Sequence, residues 1–154
     1  MKFKHGTDNN NYSEAVTEIP VIEELFDNTP NNNDKSFVVP NNELWHINFV
    51  QATLTTSTTV GNRLLAFTVT NADSELMLTL TAAANQAASL TRRYTGLQGQ
   101  FRETSFVNNE IHQPLPKDLY LKPGTTVRIF DTANIDSNDT MVIASQHKVY
   151  VGAG

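Results

Sequence analysis

Between Leu54 and Leu80 the chain reads LTTSTTVGNRLLAFTVTNADSELMLTL, and apolar residues recur there at alternate positions on both sides of two turn signals. Alternation with that period marks strands that bury one face and wet the other. Gly61-Asn62, taken as a two-residue loop, predicts a type II′ hairpin that sets Leu54 opposite Val69, Thr56 opposite Phe67 and Thr58 opposite Leu65. Asn71-Ala72-Asp73-Ser74, taken as a four-residue loop, predicts a second hairpin with Val69 opposite Leu76, Phe67 opposite Leu78 and Leu65 opposite Leu80. Both turns place Leu54, Leu65, Phe67, Val69, Leu76, Leu78 and Leu80 on one face. Thr55, Ser57 and Thr59 fall on the wetter face with Thr68, Thr70 and Thr79, where a branched polar side chain suits the pleat.

The flanking segments continue the pattern. Trp45, Ile47 and Phe49 alternate on one parity, then Ala52 and Leu54 on the other, which predicts a bulge near Phe49-Val50. Phe37-Val38-Val39 precedes a turn at Pro40-Asn41-Asn42. Ala82 to Ala88 is a small-residue connection compatible with one helical turn. Further strands are expected within Ser89–Arg102, with Gly96 and Gly99 marking a turn or bulge, and over Phe101–Ile111, Leu119–Leu121, Thr125–Phe130 and Met141–Val151. Eight or so short strands with regular turns predict an all-β fold, an antiparallel β-sandwich of jelly-roll type, over residues 36–154.

Residues 1–35 read differently. Asn9-Asn10-Asn11 and Asn31-Asn32-Asn33 bracket SEAVTEIPVIEELFD, and prolines stand at 20, 30 and 40. A short helix from Ser13 to Pro20 and an apolar turn of Val21, Ile22, Leu25 and Phe26 are the local expectations. So polar a segment cannot build its own core. It is either an extended N-terminal assembly arm, anchored elsewhere by Val21, Ile22, Leu25 and Phe26, or a disordered tail.

Charge and composition narrow the function classes. Residues 1–40 carry three lysines against seven carboxylates, and residues 41–154 carry eight basic against nine acidic groups. Neither part forms the basic patch that direct nucleic-acid or anionic-membrane binding needs. The absence of cysteine excludes disulfides, zinc thiolate sites and cysteine nucleophiles. No apolar run approaches the roughly 20 residues of a membrane span, and Met1-Lys2-Phe3-Lys4 does not open a signal peptide. A soluble protein made in the cytoplasm is therefore expected.

His5, His46, His112 and His147 have no metal-ligand spacing, so no metal and no cofactor are expected. Asp131, Asp136 and Asp139 in DTANIDSNDT suit either calcium ligation through oxygen or ordinary Asx turns. Arg92-Arg93 reads as a charged strand edge. Trp45 reads as core, with a sugar-stacking platform as the alternative.

ELWHINFVQATLTTSTTVGNRLLAFTV and LPKDLYLKPGTTVRIFDTANIDSNDTMVI together resemble small structural proteins of tailed-phage virions. The resemblance spans roughly residues 36–151. It implies a non-enzymatic β-sandwich assembled on a particle, usually as a head decoration (cement) protein and otherwise as a neck or tail component. It supplies no catalytic residues. Expected partners are the major capsid protein or other virion subunits and further copies of the chain, as a dimer or trimer. Expected localisation is the virion, after synthesis in the host cytoplasm. The competing readings are a glycan-binding or tail-accessory module, which needs Trp45 or Tyr94 exposed, and a cupin-like enzyme, which needs a metal triad.

Overall fold

A computed structural model describes residues 20–31, 34–133 and 136–152, and these build two packed sheets with no helix among them. The ten strands are β1 (Val21–Asn31), β2 (Lys35–Val38), β3 (Glu43–Thr55), β4 (Leu65–Thr70), β5 (Leu76–Thr81), β6 (Thr91–Gln98), β7 (Glu110–Leu115), β8 (Tyr120–Leu121), β9 (Thr126–Asp131) and β10 (Thr140–Val151). The larger sheet has the order β1-β10-β3-β6-β7, with β8 on the end of β3, and the smaller has β2-β9-β4-β5. All pairs are antiparallel except β6 with β7. The first four strands pair in reverse order with later ones: β1 with β10, β2 with β9, β3 with β6 and β4 with β5.

The inward faces follow the alternation of the sequence. Trp45 and Ile47 are buried from the first half of β3, and Val50, Ala52 and Leu54 from the second. Parity changes because Asn48 is an extra residue: Ile47 pairs with His147 and Phe49 with Gln146. The expected bulge exists, one residue earlier than its predicted place. Met141, Ile143, Ser145, His147 and Val149 supply the inward face of β10.

The first hairpin is overturned. β3 and β4 lie in different sheets, and residues 56–64 cross between them. Arg63 holds the crossing in place: its side chain is fully buried and bonds to the carbonyls of Thr59 and Gly61 within it and to Asp139 of the turn before β10. The second hairpin is present with a shifted register: Phe67 faces Leu80 and Val69 faces Leu78, with a bulge beside Thr70 and Leu76. A slip of two residues keeps every side chain on its predicted face, so Leu65, Phe67, Val69, Leu78 and Leu80 all meet the core. Leu76, beyond the bulge, is exposed.

Three further expectations fail. Ala82–Ala88 is not helical; Gln86 bridges to Arg63 instead. Phe101 to Asn109 is a connection, not a strand, because β7 lies parallel to β6 and the chain must return before pairing. The domain boundary at residue 35 does not divide the fold. Val21, Ile22, Leu25 and Phe26 lie in a strand, not an apolar turn, and pair with β10 from Val21–Val149 to Asp27–Ile143. Leu25 packs against the core, and Lys35, itself buried, places Nζ 3.1 Å from Asp27. The segment is held because it completes the edge of the chain's own sheet. The helix expected from Ser13 and the apolar residues Val16 and Ile19 lie outside the described residues.

Candidate assembly surface

One end of the larger sheet carries an unusual row on its outer face. Ile22 of β1 pairs with Lys148 of β10, Lys148 with His46 of β3, and His46 with Tyr120 of β8. All four therefore stand side by side across the strands and point away from the core. Ile22 is 60% and Tyr120 47% exposed. His46 is buried because the Tyr120 ring stacks on it, with centroids 4.5 Å apart and planes 16° apart. Tyr150 closes the row at 6.3 Å from Tyr120.

The polar ends of this row are fixed. The Gln98 amide donates to Ile47 O over 2.6 Å and lies 3.2 Å from His46 Nε2. Loss of solvent, first, and neighbouring Tyr150 and Asp118 hold the Tyr120 hydroxyl above its ordinary pKa. Val21, at the start of β1, and Val151, at the end of β10, are also about half exposed. They lie diagonally across the pair, since Val21 faces Val149. Among the described residues β1 is the edge strand of the larger sheet, with no strand beside one line of its backbone N–H and C=O groups.

Of the four predicted arm anchors, Val21 and Ile22 are thus exposed on the edge, and Leu25 turns inward. Phe26 pairs with Ala144 through its backbone, and its side chain lies outside the described residues. His5 also lies outside them.

The other flagged residues have structural roles. Trp45 is 5% and Tyr94 7% exposed, so neither gives the open ring that sugar stacking requires. The Trp45 Nε1–H donates to Glu43 over 2.6 Å. His112 Nδ1 and N both contact Glu103 Oε2, at 3.0 and 2.7 Å, which ties the connection before β7 to that strand. Those bonds, the backbone one first, hold the Glu103 carboxyl below its usual range. Arg92 lies over the Phe106 ring at 4.1 Å, and Arg93 lies 4.0 Å from Glu110.

The Asp-rich loop closes on the crossing between the sheets. Asp139 binds Arg63 with both oxygens, Oδ2 to Nε at 2.7 Å and Oδ1 to Nη2 at 3.0 Å. Arg63 Nη1 donates to the carbonyls of Thr59 and Gly61. Asp136 accepts from the hydroxyls of Ser57 and Thr59, and Asp131 from the backbone of Leu64 and Ala133. The two hydroxyls, Ser57 first, and the Asn138 amide hold Asp136 far below the usual carboxylate range. Burial pushes Asp139 up, but its bonds to Arg63 and Ser57 outweigh this and hold it low. Ser57 and Thr59, expected on a wet sheet face, are instead ligands of this lock. Among the described residues no three His, Asp or Glu side chains gather as metal ligands.

Sequence reasoning missed Tyr120 and Tyr150 because each is one aromatic in a polar context, and only the strand order brings them together. No protein-family model matches the chain, and no curated protein matches it.

Proposed function

We propose that the chain is a non-enzymatic virion structural subunit, a decoration or cement protein that stabilises a tailed-phage head by bridging its subunits. The observation that carries this reading is the Ile22–Lys148–His46–Tyr120 row beside β1, the edge strand of the larger sheet among the described residues. Edge strands recruit a neighbour through backbone pairing, which makes little demand on sequence. Covering a side chain such as Ile22 adds about 1.5–3 kcal/mol.

Two further points support it. The reverse-order pairing of β1–β4 with β10, β9, β6 and β5 supports reading the β-sandwich as a jelly roll, an architecture used by capsid proteins. The resemblance over residues 36–151 points to the same class of assembly. The partners are the major capsid protein or other virion subunits, with further copies of this chain. Gradient fractionation of the native source tests the reading: the protein sediments with intact particles and leaves them when the heads are dissociated. Recovery only in the soluble fraction overturns it.

One observation favours a second reading, a glycan-binding tail or neck accessory. Tyr120 is half exposed and backed by His46, as a sugar-stacking ring would be. Glycan-array binding that disappears in Tyr120→Ala selects that reading.

A further inference from the structure

A groove lies at the end of the larger sheet away from Tyr120, lined by Thr53 of β3, Thr91, Arg92 and Arg93 of β6, and Asn108 and Asn109 before β7. Its volume is about 390 Å³, within the range of small-molecule sites. One wall is a tight turn. Val107 and Glu110 exchange both backbone hydrogen bonds, at 2.8 and 3.0 Å, and Asn108 and Asn109 between them have φ of 49° and 66°. Asparagine tolerates that left-handed backbone. Arg93 N donates to Asn109 O over 2.8 Å, which fastens the turn to β6.

Every side chain in this lining can donate a hydrogen bond, and none is a carboxylate. Arg92 is the group without an assignment. Its guanidinium carbon lies 4.1 Å from the centre of the Phe106 ring, which in turn stands edge-on to Tyr94 with centroids 5.3 Å apart. Among the described residues Arg92 has no ion pair and no hydrogen-bond acceptor for its side chain. Stacking on a ring fixes the plane of a guanidinium and leaves its terminal N–H fork to meet an oxyanion. Arg93 has 56% of its side chain exposed, and the Glu110 carboxylate lies 4.0 Å off, beyond hydrogen-bond length. Glu110 is itself held by the Thr95 hydroxyl over 2.6 Å. Two guanidinium groups thus line the groove against one carboxylate beside it.

We infer that this groove binds a small hydroxylated molecule that carries one oxyanionic group, of the chemical class of a uronic acid or a sugar phosphate. The anion meets Arg92, whose plane is already fixed, with Arg93 beside it. Hydrogen bonds to an ionised acceptor are about twice as strong as neutral ones. The anionic group therefore selects the ligand, and its hydroxyls meet Thr53 and the asparagine amides, which both donate and accept. The inference is independent of the proposed assembly role and of any sugar stacked on Tyr120.

Titration of the full chain with glucuronate, glucose 6-phosphate, glucose and inorganic phosphate, followed by amide NMR shifts, tests the inference. At least one of the two sugar anions shifts the lining residues saturably and binds about tenfold or more tightly than glucose, as a charge-assisted bond requires. Which of the two binds better assigns the anion as carboxylate or phosphate. Arg92→Met keeps the cover over Phe106 but erases the preference, whereas Arg128→Met, at the other stacked arginine, leaves it unchanged. Absence of saturable shifts with both sugar anions overturns the inference, as does glucose binding equally well. Inorganic phosphate binding as tightly as either sugar anion overturns it too, since the hydroxyls would then contribute nothing. So does a preference that survives in Arg92→Met. The comparison of ligands uses the unaltered chain, so it decides even if Arg92→Met fails to fold.

Discussion

Arg63 and Asp139 form a two-pronged ion pair in which both side chains are buried, and it joins the crossing between the sheets to the turn before β10. Each charge is acceptable in the interior only because the other is present. Arg63→Met leaves the Asp139 carboxylate inside without its main partner and should cost about 3–5 kcal/mol in urea unfolding. The double variant Arg63→Met/Asp139→Leu should recover part of that loss. A double variant less stable than the single one would mean that the pair contributes through packing alone.

The apolar face of the second hairpin gives a sharper contrast. Phe67 is 7% exposed and Leu76 64%. Phe67→Ala should cost about 3–5 kcal/mol, whereas Leu76→Ala should change stability by less than about 0.5 kcal/mol. Similar losses at the two sites would place the bulge of β5 wrongly.

That hairpin shows what a sequence can and cannot disclose. Faces were legible, because alternation fixes which side chains turn inward whether or not the register slips by two. The parity change from Ile47 to Val50 likewise announced the bulge. The partner of β3 was not legible. Leu54 and Val69 match as well as a true pair, yet β4 lies in the other sheet, and the crossing that leads to it is tied by Arg63 to Asp139, 76 residues away. No local pattern carries that information. The outer row was hidden for a similar reason: Ile22, His46, Tyr120 and Lys148 come from four strands that sequence distance does not relate.

His147 sets a pH dependence. Its ring is fully buried, lies 4.2 Å from the Trp45 ring and has no partner at either nitrogen among the described residues. Burial pushes its pKa down, slightly opposed by Glu43. The unfolded chain takes up a proton below about pH 6.5, and the folded chain does so only at lower pH. Stability should therefore be flat above that value and fall as pH drops below it. His147→Leu should flatten this limb. The separate acid limb, where Asp136, Asp139 and Glu103 lose their bonded carboxylates, should remain. An unchanged profile in His147→Leu would show that the ring is hydrated in solution.

Truncation separates the strand from what precedes it. Deleting residues 1–19 removes none of the described pairings, so that form is the reference for the next. Deleting residues 1–31 strips β1 from β10, uncovers the core beside Leu25 and removes the partner of buried Lys35. That form should melt markedly lower. Equal melting temperatures for the two truncations would mean that β1 is not held by β10 in solution.

We propose that the edge of β1 and the row beside it form the surface that meets the particle. A photo-crosslinking residue at Ile22, compared with one at Val60, tests this most directly. Both positions are exposed, but Val60 lies in the crossing loop at the opposite end of the sandwich, beyond the Thr55–Thr140 pair. In intact particles Ile22 should crosslink to a capsid subunit or a second copy of the chain, and Val60 should not. Particles that contain the protein but yield no crosslink from Ile22, or yield the same crosslinks from Val60, would contradict the account.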